Sequence, residues 1–207
     1  MSAHDFELLE RWRAGDREAG NQLFERHREP LYRFFHNKAN AKADDLVQDT
    51  MLACLESQSK FENRSHFRSY LFGVARFQLY AYYRKHRRDG EVLDFNTATA
   101  SDLGASPSAL VAERNEQQVL LEALRRISIE HQIVLELCYW EDLSAPELAE
   151  ILELDTAAVY SRIRRAKQQL KRQLDEIEAN PKQLTQTQTN LERWAALLKE
   201  RVRKPLR

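Results

Sequence analysis

Apolar and polar positions alternate along most of the 207-residue chain with the spacing of helices. Over residues 5–88, apolar side chains recur every three or four positions, which gathers them on one face of a helix. The stretch "REAGNQLFERHREPLYRFFHNKA" places Leu23, Phe24, His27, Leu31 and Phe34 on such a face, behind Asp16 as a candidate N-cap. Pro30 falls inside this pattern and predicts a kink or break, because proline lacks an amide hydrogen and crowds the preceding turn. A second helix, "AKADDLVQDTMLACLES", turns Leu46, Val47, Met51 and Leu55 inward. Its acids Asp44, Asp45 and Asp49 lie near its start, where they suit the helix dipole. A polar turn, "QSKFENRS", leads into a long helix containing "FGVARFQLYAYYRKHRR". Five aromatics crowd between Phe72 and Tyr83, and a basic cluster follows at once. Phe67, Tyr70, Leu71 and Val74 are expected to pack inward, while the pattern leaves Phe72 and Phe77 open between core and surface.

The periodicity stops at Asp89. Through Glu113 there is no lysine or arginine, and "DGEVLDFNTATASDLGASPSA" has the composition of a linker too long for an ordinary loop. A second helical block runs from about 114 to 175 and ends in "LSAPELAEILELDTAAVYSRIRRAKQQLKRQL". Ser144 can cap one helix there, with Pro146 in its first turn and Leu148, Ile151 and Leu152 inward. Asp155 can cap the next, where Val159, Ile163, Ala166 and Leu170 make one buried stripe. Glu153 stands in the turn between them, where glycine is common because the backbone is left-handed. Beyond a polar spacer, "TNLERWAALLKERVRK" carries a capping-box pattern, Thr189 and Glu192, and an apolar stripe through Trp194 and Leu198. The organisation expected is therefore all-α. Residues 1–88 form one helical domain, 89–113 an acidic flexible linker, 114–175 a helix-turn-helix domain, and 176–207 a spacer with a terminal amphipathic helix.

Composition narrows the class. Five glycines and five prolines in a chain 43% hydrophobic fit helical domains with packed cores. No apolar run reaches the about 18 residues that a membrane span needs, and the N-terminus lacks the apolar stretch of a signal peptide. Cys54 and Cys138 sit in apolar helical patterns and read as small hydrophobes in a reducing, cytoplasmic setting. The six histidines have neither metal-ligand spacing nor a nucleophile's partners, so no enzyme and no cofactor is expected. Net charge is zero, but as a sum of opposed blocks. Residues 117–155 hold two basic and nine acidic side chains, a net of −7, and residues 156–174 hold six basic and no acidic ones, a net of +6. Such sorting separates a surface that phosphate repels from one that it attracts. On the second helix of the block, Tyr160, Ser161, Arg162, Arg164, Arg165, Lys167 and Lys171 lie off the apolar stripe. A helix with an apolar back and a basic front fits the major groove of DNA, and a helix in a bundle is the alternative.

Two blocks together carry a resemblance. "DDLVQDTMLACLES" followed by "HFRSYLFGVARFQLYAYYRKHRR" resembles region 2 of bacterial RNA polymerase sigma factors. "ISIEHQIVLELCYWEDLSAPELAEILELDTAAVYSRIRRAKQQLKRQL" is similar to their region 4. This order, with an acidic linker and no region 3, resembles the extracytoplasmic-function (ECF) group of the sigma-70 family over roughly residues 5–175. The resemblance implies that Asp44, Asp45, Gln48 and Asp49 dock on the arginine-rich clamp helices of the polymerase β′ subunit, with region 4 at the β flap. It implies further that Lys60, Phe61, Glu62, Asn63 and Arg64 form a pocket for a single-stranded base of the −10 element. Arg76, Tyr80, Tyr83, Arg84, Arg87 and Arg88 would contact strand and duplex nearby, because separated strands offer base faces to aromatics and phosphates to cations. Tyr160, Ser161, Arg162 and Arg165 would read the −35 duplex, with Lys167 on the backbone. The linker would thread a polymerase channel built for RNA, and an anti-sigma factor is a further partner the family allows. A cytoplasmic, nucleoid-associated protein is implied. Two rivals remain at this point: a free-standing helix-turn-helix regulator, and a helical interaction module whose basic helix meets an acidic partner. Neither uses the acidic helix and the aromatic helix together.

Overall fold

The structure, a computed structural model, describes residues 3–57, 67–86, 93–102 and 116–177. Among these are eight α-helices and no strand: α1 (Ala3–Arg13), α2 (Arg17–Ala39), α3 (Ala43–Glu56), α4 (Phe67–His86), α5 (Glu116–Arg126), α6 (Ile129–Tyr139), α7 (Ala145–Leu152) and α8 (Thr156–Ile177). A short 3-10 turn, Asn40–Lys42, joins α2 to α3. The expected terminal helix lies outside the described residues. No described helix is long and apolar enough to cross a membrane. The chain forms two compact units, one of α1 to α4 with residues 146–155, the other of α5, α6 and α8 with the segment 93–102.

In the first unit α2 is the central helix, packed by α1, α3 and α4. Asp16 caps it as expected: the backbone is extended there and the carboxylate accepts the Ala19 amide at 3.1 Å. Arg11 closes on the same carboxylate through Nη2 at 2.7 Å. The Ala19 amide and the Arg11 guanidinium hold the Asp16 carboxyl below the usual carboxylate range. All five expected inward residues, from Leu23 to Phe34, are buried. Pro30 does not break α2, which runs unbroken from Arg17 to Ala39. The apolar face on either side of it, including Leu31, Phe34 and Phe35, is buried, and that packing outweighs the one hydrogen bond proline cannot make. Trp12, Phe24 and Phe67 meet edge to face, Trp12 to Phe24 at 5.3 Å between centroids. α2 reaches the Trp12 ring only because residue 20 is glycine: a Cβ there would stand 2.5 Å from Trp12 Cδ1.

α3 corrects the expected inward face. Leu46 and Val47 are buried, but with Ala43, Thr50 and Cys54 rather than Met51 and Leu55. Thr50 is tolerated inside because its hydroxyl donates to the Leu46 carbonyl at 2.7 Å. On α4, Phe67, Leu71 and Phe72 are buried, Tyr70 and Val74 are half-buried, and Phe77 is 52% exposed. Tyr70 shares a 2.5 Å hydrogen bond with Ser57 at the end of α3, which ties the two helices together.

α7 buries Leu148, Ile151 and Leu152, as its spacing predicts. It ends with Glu153 at φ +56°. The Glu153 amide donates to Glu150 O and the Leu154 amide to Ala149 O, the paired bonds of a Schellman cap that usually employs glycine. The second unit packs α5 and α6 against α8. On α8, Val159, Ala166 and Leu170 are buried and Ile163 is half-buried. The expected linker is not open chain throughout, for residues 94–102 fold onto the α5–α6 junction with Phe95 and Ala100 buried.

Candidate functional site

Inward packing by Ala43, Leu46, Val47, Thr50 and Cys54 leaves the opposite face of α3 to solvent. That face carries Asp44, Asp45, Gln48 and Asp49, and, one and two turns further on, Leu52 at 55% and Leu55 at 46% exposure. The four polar residues named from the sequence therefore share one surface. The two leucines were missed, since a leucine in a periodic pattern reads as core. Lys42 Nζ donates to Asp45 Oδ2 at 2.9 Å across an exposed pair, which raises the lysine's pKa and leaves Asp44 and Asp49 outside that pair. Carboxylates beside exposed leucines suit a partner that offers guanidinium groups on an apolar stem.

α4 divides the residues expected to contact DNA. Lys60, Phe61, Glu62, Asn63, Arg64, Arg87 and Arg88 lie outside the described residues. Arg84 is exposed, as are Phe77, Ala81 and Lys85 on the same helix. Tyr83 is a correction: it is buried, and its hydroxyl donates to the Lys38 carbonyl at 2.8 Å, so the ring is core and its polar tip a strut to α2. Tyr80 is also buried and accepts from Arg76 Nε at 2.9 Å. Arg76 itself lies over the Tyr80 ring and donates through Nη1 to the Ile151 carbonyl at 3.2 Å. All three are engaged inside the first unit rather than presented outward.

α8 presents Tyr160 at 63% exposure, with Arg164, Arg165 and Lys167 also exposed and Ser161 half-buried. Lys167 Nζ lies 4.9 Å from the centre of the Tyr139 ring, a cation–π contact that leaves its charge accessible. Arg162 is a second correction. Its Nη1 donates to the carboxylate of Glu130 on α6, a residue 5% exposed, so the guanidinium is held toward the helix pair. On the same seam His131 Nδ1 lies 2.5 Å from Gln169 Oε1. Nothing in the local pattern pairs Arg162 with an acid 32 residues earlier. Among the described residues no group of three or more His, Cys, Asp or Glu side chains could hold a metal ion.

The chain matches the family model for sigma-70 region 2 over residues 23–89 and that for sigma-70 region 4 over residues 117–170. It is 28% identical over 161 residues to the ECF RNA polymerase sigma factor BldN of Streptomyces coelicolor, a match spanning 76% of this chain and 61% of that protein. To the RNA polymerase sigma factor YlaC of Bacillus subtilis it is 27% identical over 145 residues, 70% of this chain and 83% of that one. Among solved structures it is similar to CnrH in complex with the cytosolic domain of CnrY. The TM-score there is 0.62 at 25% identity, over 84% of this chain and 99% of that one. With both family segments in order and a gap between them, the chain belongs to the extracytoplasmic-function group of the sigma-70 family of RNA polymerase sigma factors.

Proposed function

We infer that the chain binds core RNA polymerase, directs it to particular promoters and opens the −10 element, acting as a cytoplasmic, nucleoid-associated initiation factor and not as an enzyme. The observation that carries this is the outer face of α3, where Asp44, Asp45, Gln48 and Asp49 run into exposed Leu52 and Leu55. A helix that keeps its own core on one side and shows acids with leucines on the other is built to lie against a basic helical partner, which the β′ clamp helices provide. Region 4 completes the hold at the β flap.

Promoter contact then divides between the units. In the first, Arg84, Arg87, Arg88 and residues 60–64 take the −10 strand, through phosphate contacts and stacking on a flat ring. In the second, Tyr160, Ser161, Arg165 and Lys167 face the −35 duplex. Tyr80, Tyr83, Arg76 and Arg162 leave the contact set for the internal roles described above. An anti-sigma factor would act by covering the α3 face. A free-standing regulator has no use for that face.

The test is co-migration of the purified chain with bacterial core polymerase, wild type beside Asp45→Arg and Leu52→Arg. Binding by the wild type and loss in both variants is the expected result. A wild type that stays apart from polymerase overturns the reading.

A further inference from the structure

The segment 94–102 consists of two self-closed turns. In the first, Asp94 Oδ1 accepts the Asn96 amide at 2.9 Å, and the Asp94 carbonyl accepts the Ala98 amide at 2.8 Å. In the second, Asp102 Oδ2 accepts the Thr99 hydroxyl at 2.7 Å and amide at 3.1 Å, while the Asp102 amide returns to Thr99 Oγ1 at 3.1 Å. Both turns are closed by acids of the segment itself, which favours their local backbone geometry.

What it touches is the start of α6. A helix begins with backbone amides that have no partner inside the helix. Here the Ile129 amide donates to Ala98 O at 2.9 Å and the Glu130 amide to Phe95 O at 3.2 Å, while Ser128 Oγ takes the amide of His131. The Ser101 amide donates back to Arg125 O at 3.1 Å, and Thr99 bridges Ser128. Phe95 and Ala100 are buried beside these bonds, as are Ile127 and Ile129. The residue whose amide Phe95 caps is the one whose carboxylate holds Arg162 of α8.

We propose that residues 94–102 are a detachable latch, which when seated holds Arg162 back from DNA through Glu130 and when released adds Arg162 to the basic front of α8. Seated, the latch keeps the first turn of α6 formed and so keeps the carboxylate of Glu130, which is buried, placed to hold the half-buried Arg162. Released, it leaves two amides bare and lets water reach Glu130, and an exposed ion pair holds its partners weakly. A segment of the second unit thereby sets how many cations α8 offers. The proposal rests on the reading of α8 as the duplex-binding helix.

The test uses the full-length chain with Phe95→Asp, which puts a charge into the apolar seat, beside Phe95→Leu, which keeps it apolar. By hydrogen exchange, the Ile129 and Glu130 amides should exchange at least about tenfold faster in Phe95→Asp, with Phe95→Leu near wild type and the α2 amides unchanged. In holoenzyme reconstituted with core polymerase, the salt dependence of duplex −35 binding should steepen by about 0.9 in log–log slope, the value of one added phosphate contact. Adding Arg162→Gln to Phe95→Asp should remove that increment. Unchanged exchange, or unchanged slope, overturns the latch. If wild-type holoenzyme shows no salt-dependent duplex binding, the reading of α8 falls first and the latch with it; a wild-type slope that Phe95→Asp leaves alone sinks the latch only. Should Phe95→Asp fail to fold, Ala98→Pro serves in its place, since it removes the amide that closes the first turn.

Discussion

Glycine inside a helix costs about 1 kcal/mol relative to alanine, yet Gly20 lies within α2 because the Trp12 ring occupies the volume its Cβ would need. Gly20→Ala should therefore destabilise, as overpacking of about 1–3 kcal/mol exceeds what alanine gains in helix propensity; chemical denaturation of the two proteins measures the difference. Glu153 is the opposite case. It holds φ +56° at the end of α7, a conformation that costs an ordinary residue about 1–2 kcal/mol and glycine almost nothing. Glu153→Gly should raise stability by about 0.5–1 kcal/mol after the added freedom of the unfolded chain is set against it, and a higher denaturation midpoint is the outcome to look for. His27 supplies the pH dependence. Burial, aided by Arg68 and Arg26 and opposed by Asp5, pushes its pKa down from 6.5 to about 4. Between those values the unfolded chain takes up a proton that the folded protein refuses, so this contribution is whole above pH 6.5 and is lost as pH falls toward 4. Melts across that window should show a smaller loss in His27→Gln than in wild type.

Each helix has two faces, and periodicity finds a face without saying which side it serves. α3 shows this best, with Leu52 and Leu55 on one side and Thr50 and Cys54 on the other. The apolar character of both rows made the sequence ambiguous, and the misreading fell where leucines face outward. Tyr83 misled in the reverse sense, because a carbonyl on another helix, Lys38 O, satisfies the hydroxyl that made it look wet. Cap residues were legible, as Asp16 shows, since a cap's partner lies only three residues along the chain. Partners distant in sequence were not, and Arg162 with Glu130 is the case that changes a functional assignment. Arg162 and Arg165, both on α8, should therefore behave differently in the otherwise wild-type holoenzyme. Arg165→Ala should flatten the salt dependence of duplex binding by about 0.9 in slope, while Arg162→Ala should leave the slope unchanged and lower thermal stability instead.

For the molecule as a whole, a net charge of zero conceals a division of labour, with acids on α3 and around α5 to α7 and cations on α8. Such a chain has little general affinity for phosphate, and a weak hold on DNA until polymerase supplies the remainder follows from that balance. The expected readout is duplex −35 binding by the free chain at least about tenfold weaker than by holoenzyme at the same salt. The division into helical blocks was legible because composition changes abruptly at Asp89, but the fold of 94–102 was not, since its acids read equally well as solvent-exposed linker. The contact between Trp12 and Gly20 also bears on the chain's history. A larger residue at 20 is admissible only after the ring at 12 has gone, whereas a smaller residue at 12 can arise first and leave a void that 20 later fills. Descent through these two sites runs in one order, and lineages with a larger residue at 20 should be found to have lost the ring at 12.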